Sequence, residues 1–201
     1  MSTIQIAVGA PSTTSNADGI AATMLGGKSA EGIVAELHGK WYTAAYRGRV
    51  FCAPTLIAGV TIPVNTTTAA TYIIWNPVGS GVNLEMISLN VASLAAGTVG
   101  SLLASVATQT PTSPTLLTPI SVPVGAGGTA QGKVATAATI TAVTTHIPLQ
   151  QVQTTTGGSA MPNYRFDGEL VVAPGGMINL VSNPVQTAVA IPCWFWAEWP
   201  V

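Results

Sequence analysis

The chain has 201 residues and a net charge of -1, and only 6% of it is Asp, Glu, Lys or Arg, against roughly 25% in an ordinary globular domain. That near-neutral charge, with no basic run, lacks the electrostatic footprint that nucleic-acid binding depends on. Pro, Gly and Thr interrupt every apolar stretch before the ~18 residues of a membrane-spanning helix. DNA, RNA and membranes are therefore not expected partners.

Apolar residues make up 48% of the chain, and Thr, Ser, Asn and Gln carry most of the polar load. Between Arg49 and Arg165 the charged side chains are Glu85 and Lys133 alone. A surface so poor in charge suits burial against other proteins, because monomers seldom expose large uncharged apolar areas. The length fits one sandwich- or barrel-sized domain with an arm.

Met1 to Pro11 shows neither a positively charged start nor an apolar core of signal-peptide type, which predicts synthesis and assembly in a cytoplasm. Residues 1–40 read as an attachment arm, rich in small residues and carrying Asp18, Lys28, Glu31, Glu36 and Lys40. Within it Ala30 to Leu37 spans two turns of a possible helix ended by Gly39. After Lys40 the run Trp41, Tyr42, Tyr46, Val50 and Phe51 favours strand, so a β domain over 41–201 is expected to begin there.

Thr71 to Trp75 predicts a strand. Asn76-Pro77-Val78-Gly79-Ser80-Gly81 supplies turn chemistry, and Asn83 to Ala92 returns as a second strand. In that second strand Ile87, Leu89 and Val91 share a parity and form the expected core face, which Glu85 disturbs. From Gly97 to Gln131 four prolines predict long loops and short edge strands, with some helix near Leu102. Val134 to Ile147 reads as extended strand, and Gln150 to Ser159 as loop. Phe166 to Val172, Ala173-Pro174-Gly175-Gly176 and Met177 to Val181 read as a hairpin. Short strands, regular turns and no strand-helix alternation select an all-β, antiparallel β-sandwich, jelly-roll-like, with an extended N-terminal arm.

No catalytic or metal motif emerges. Gly26-Gly27-Lys28-Ser29 lacks the earlier glycine of a phosphate loop, since Ala22 stands there. Ser80 between Gly79 and Gly81 lacks the spacing of a nucleophile turn. His38 and His146 have no metal ligand at ligand spacing. Asp167 and Glu169 share a strand parity roughly 7 Å apart, but read as solvated carboxylates beside Arg165. Asn65-Thr66-Thr67 matches a glycosylation sequon that a cytoplasmic chain never presents. Cys52 and Cys193 sit among apolar residues and are expected as unpaired core thiols. The chain is thus expected to be no enzyme and to take no cofactor.

Trp41, Tyr42, Tyr46 and Arg47 near the domain start, and Trp194, Trp196 and Trp199 near the end, form the expected interface set, because aromatic and Arg side chains anchor contacts between proteins. A carbohydrate-binding module using exposed tryptophans is the alternative. Three stretches carry a further signal: Glu36-Leu37-His38-Gly39-Lys40-Trp41-Tyr42 with Tyr46-Arg47-Gly48, Trp75-Asn76-Pro77 with Gly79-Ser80-Gly81-Val82-Asn83-Leu84, and Trp196-Ala197-Glu198-Trp199-Pro200. In these the chain resembles virion structural proteins of tailed bacteriophages, of head-decoration or head-fibre type. The resemblance implies a jelly-roll homotrimer in the virion that binds other virion proteins such as the major capsid protein, with residues 1–40 attaching it to the capsid.

Overall fold

In the computed structural model, which describes residues 6–7, 24–25, 40–93, 100–122, 128–152, 163–186 and 189–201, the β-prone runs form strands that pair antiparallel almost throughout. The chain divides into two units, Met1–Thr43 and Ala44–Val201. In the first, β1 (Ile6–Ala7) pairs parallel with β2 (Met24–Leu25). The Ala30 to Leu37 helix and most of the expected arm lie outside the described residues. The Trp41 to Phe51 run is not one strand as expected: Tyr42–Tyr46 make a single helical turn, α1, and Gly48 then takes a positive φ of 69°. The strand waits until Val50, because glycine is the residue that tolerates that reversal.

The second unit holds β3 (Val50–Pro54), β4 (Val60–Thr61), β5 (Ala69–Ala70), β6 (Ile73–Trp75), β7 (Val82–Ser93), β8 (Gly100–Thr108), β9 (Thr112–Leu117) and β10 (Ile120–Ser121). It continues with β11 (Lys133–Thr139), β12 (His146–Val152), β13 (Asn163–Arg165), β14 (Val171–Val172), β15 (Gly176–Asn183) and β16 (Val189–Pro200). One sheet runs β10-β3-β16-β7-β13, with β14 also on β7 and β4 on β16. The other runs β12-β8-β15-β6-β11, with β5 and β9 also on β11. Thus β3 pairs with β16, β6 with β15, β7 with β13 and β14, and β8 with β12. A long antiparallel ribbon wound over into two facing sheets has this pairing, so the sandwich is a jelly roll.

The core lies between the sheets. Phe51, Leu84, Met86, Trp194 and Trp196 enter from the first, and Ile74, Leu102, Val134, Ile178 and Leu180 from the second. Two fully buried indoles alone remove about 150–250 Å² each from water, which at about 25 cal/mol per Å² is an upper bound of about 4–6 kcal/mol apiece. A second apolar cluster, with Ile73, Trp75, Ile140, Val143 and Met177, lies on the outer face of the second sheet. There residues 140–145 run from β11 to β12 at the opposite sheet edge.

Several expectations are corrected. The expected hairpin does not form, since β14 and β15 lie in opposite sheets, and the strand expected to return after Asn76–Gly81 does so in the other sheet, as β6 and β7 are also opposed. The turn residues were read correctly, but both turns are corners between sheets. Asn76 holds the two corners together. Its Nδ2 donates to Val82 O at 2.7 Å and Val172 O at 2.9 Å, while its backbone exchanges bonds with Gly175 and Gly176.

In β7 a bulge falls at Ile87, where β16 pairs Ser88 with Phe195 and Met86 with Trp196. An extra residue flips side-chain parity, so Leu84 and Met86 face the core before it, and Leu89 and Val91 after it. Glu85 accordingly faces outward. The segment near Leu102 is strand β8, not helix, and Gln150–Val152 extend β12 instead of opening a loop. Asp167 sits in a turn at φ 47°, so it and Glu169 share no strand face.

Candidate interaction surface

Between β8 and β12 the chain leaves the jelly roll from Gln109 to Thr145, and Lys133 is the one charged residue in that stretch. Threonine, alanine and proline dominate it, so it can form edge strands and crossings but offers water few ionised groups. Its β9 and β11 extend the second sheet beyond β6, and its β10 extends the first beyond β3. It therefore wraps one open edge of the sandwich. The Gln109 side chain clasps its two ends: Nε2 donates to Thr141 O at 3.1 Å, and Oε1 accepts the Thr141 amide at 2.8 Å.

A groove on that edge is lined by residues 54–56 and by residues 115–118, Ile120 and Thr136 of the excursion. Leu56 and Ile57 are 74% and 88% exposed, and Leu116 and Ile120 are also open to solvent. The strand edge itself is blunted. Pro114 has no amide to donate, and Ser113 at φ 49° turns the chain out of regular extension. The groove therefore offers side chains, not open ladder amides, along this edge.

Charge collects elsewhere. Trp199 Nε1 donates to Glu85 Oε2 at 2.6 Å on the outer face of the first sheet, and the Arg49 guanidinium lies 5.6 Å from the Trp199 ring centre. The turn with Asp167 approaches the same carboxylate, since a Cβ on Gly168 would stand 2.1 Å from Glu85 Oε1. Glu198 instead points into the core. It accepts the Gly132 amide at 2.8 Å, the Gln131 amide at 3.0 Å and Trp196 Nε1 at 3.0 Å. Those bonds anchor the last part of the 109–145 excursion onto β16.

The interface set read from sequence is divided by the fold. Trp194 and Trp196 are fully buried within this chain's own core, so the expectation that they anchor a partner is corrected. Their even parity on a strand packed over the second sheet is what turns them inward. Trp199 is half-buried in the Glu85 and Arg49 group. Tyr42, Tyr46 and Arg47 are exposed on or just after α1, and the Lys40 ammonium lies 4.9 Å from the centre of the Trp41 ring. Leu56, Ile57, Leu116 and Ile120 were missed, because single exposed aliphatics leave no periodic trace. The signal that could have found them was the uncharged run itself.

The chemistry available is limited. Ser105 Oγ and His146 Nδ1 are 2.9 Å apart, a distance suited to a nucleophile and its base, but Ser105 is 1% exposed and no substrate carbonyl reaches it. Beside it Asn179 is wholly buried. Among the described residues no three His, Cys, Asp or Glu side chains gather as a metal-ligand set, and no helix is long and apolar enough to cross a membrane. Compared with protein-family models, curated proteins and solved structures, the chain matches none.

Proposed function

We propose that this chain is a non-enzymatic structural protein of the bacteriophage virion, a capsid-decoration or head-fibre subunit that self-associates as a trimer and binds other virion proteins such as the major capsid protein. The observation that carries the assembly reading is the excursion from Gln109 to Thr145: a nearly chargeless wrapping of one sandwich edge beside exposed Leu56, Ile57, Leu116 and Ile120. Covering such a surface releases ordered water and needs no desolvation of ions, which is how stable interfaces between copies gain most of their free energy. The virion reading rests on the sequence stretches that resemble tailed-phage proteins, and the jelly-roll sandwich is compatible with it. The alternative of sugar binding has lost Trp194 and Trp196 as stacking platforms, since both are core.

Light scattering on the full chain tests the assembly reading, and electron micrographs of particles labelled through this protein test the location. The expected result is a trimer that decorates capsids. Leu56→Asp combined with Leu116→Asp is expected to yield folded monomers whose unfolding midpoint no longer depends on protein concentration. A well-behaved wild-type monomer without affinity for capsids would overturn the proposal.

A further inference from the structure

Cys52 in β3 and Cys193 in β16 were expected in the core, but both are half-buried on the outer face of the first sheet. The register explains this: Cys52 lies opposite Phe195 and Cys193 opposite Pro54, so the thiols flank the Ala53–Trp194 pair diagonally, on the side away from the core. At that pair the ladder is open. The Trp194 amide donates to the Tyr72 hydroxyl instead of to Ala53 O, and the Ala53 amide faces the Cys193 sulfur. The two side chains are diagonal neighbours on that outer face, and the Cys193 thiol donates to Trp194 O at 3.7 Å.

We propose that Cys52 and Cys193 form a paired-thiol site that closes into a disulfide across β3 and β16 by exchange with a small-molecule disulfide. The Cys52 thiolate attacks one sulfur of the reagent, making a mixed disulfide and releasing one thiolate. Cys193 then loses its proton to solvent and attacks the Cys52 sulfur, expelling the second thiolate. Two protein thiols and one external disulfide become one protein disulfide and two external thiols, with two electrons passing from protein to reagent.

The order of attack follows from the environment. The neighbouring Cys193 side chain lowers the Cys52 thiol to about 7 against the opposing effect of burial, while the Cys52 side chain and burial push the Cys193 thiol up. Cys52 is therefore the group that is ionised near neutrality. Diagonal neighbours in a regular ladder have Cα atoms roughly 7–8 Å apart, beyond the ~4.4–6.8 Å usual for disulfides, so closure must draw the strands together. The Ala53–Trp194 pair, bridged by a hydroxyl and not by a direct bond, is where they can yield. In a reducing cytoplasm the pair stays open.

The test treats the reduced full chain with glutathione disulfide, quenches with acid, alkylates and analyses by mass spectrometry. Wild type is expected to lose two hydrogens and give one cross-linked peptide pair containing Cys52 and Cys193. Cys193→Ser should accumulate one glutathione on Cys52, and Cys52→Ser should react at least ~10-fold more slowly. Peptide mapping of the wild type serves even where a variant fails to fold. Two glutathiones per chain without a cross-link, disulfide-linked dimers, or reaction only in denaturant would each overturn the proposal.

Discussion

The Tyr72 hydroxyl accepts the Trp194 amide hydrogen at 2.8 Å, and the two rings stack with centroids 6.0 Å apart and planes within 5°. The same hydroxyl donates to the Ala53 carbonyl, so a residue that leads into β6 of one sheet stands inside the ladder of the other. Burial raises the phenol well above its ordinary value, so it stays protonated and able to donate. Tyr72→Phe leaves a buried amide and carbonyl without their bridge. It is expected to lower stability by about 1–3 kcal/mol, read as a fall in urea midpoint at unchanged slope. A change below about 0.5 kcal/mol would mean that β3 and β16 simply close the ladder.

Asn76 carries both corners. Asn76→Ala strips Val172 O of its buried donor and leaves Val82 O with Ser80 Oγ at 3.3 Å, and an expected loss of about 1–3 kcal/mol follows from the buried acceptor left without that bond. Asn76→Asp should be worse, since a carboxylate there faces two carbonyl oxygens. Thermal unfolding of the three proteins ranks them, and equal stability of wild type and Asp variant would refute the role.

Glu198→Gln tests the inward carboxylate. It keeps the shape and an acceptor for the Gly132 amide and the Trp196 indole, but removes the charge and puts an NH2 donor at the Oε2 position, against the Gln131 amide hydrogen. Hydrogen bonds to a charged group contribute about 1.5–3 kcal/mol, and a loss of that size is expected in denaturant titration. Faster hydrogen exchange at Gln131 and Gly132 should accompany it, because their partner is the altered group.

The thiol pair predicts a pH dependence with a definite sign. Cys52 is lowered to about 7 from an ordinary value of 9.0, so between those limits the folded chain has released a proton that the unfolded chain still holds. Stability therefore gains from rising pH across that window, and the gain is lost as pH falls through about 7. Cys193, held above its ordinary value, reverses the sign above 9.0. Urea midpoints under reductant from pH 6 to 9 check this, and the Cys193→Ala variant should lose the rise below pH 9.

Composition and turn chemistry made the sandwich readable in the sequence: β-branched runs broken by Gly and Pro leave few other folds. Partner choice among strands was not readable. Asn76 to Gly81 and Ala173 to Gly176 have hairpin residues, yet whether a turn closes a hairpin or rounds a corner depends on which strands bury its flanks. The bulge at Ile87 was hidden for a related reason, since one inserted residue reverses parity without changing composition. Of the expected interface residues, Trp194 and Trp196 were the strongest by residue type and proved to be core. Exposure of Leu56 and Ile57 arises from long-range folding that no local pattern encodes.

β16 occupies the middle of its sheet, with β3 on one flank and β7 on the other. A nascent chain still lacking Val189–Pro200 therefore has a gap where its central strand belongs, with apolar faces not yet covered. Folding of the sandwich must wait until translation of that stretch is finished, and pairing so distant in sequence closes slowly. Until then the growing polypeptide leaves open the apolar faces that β16 later covers.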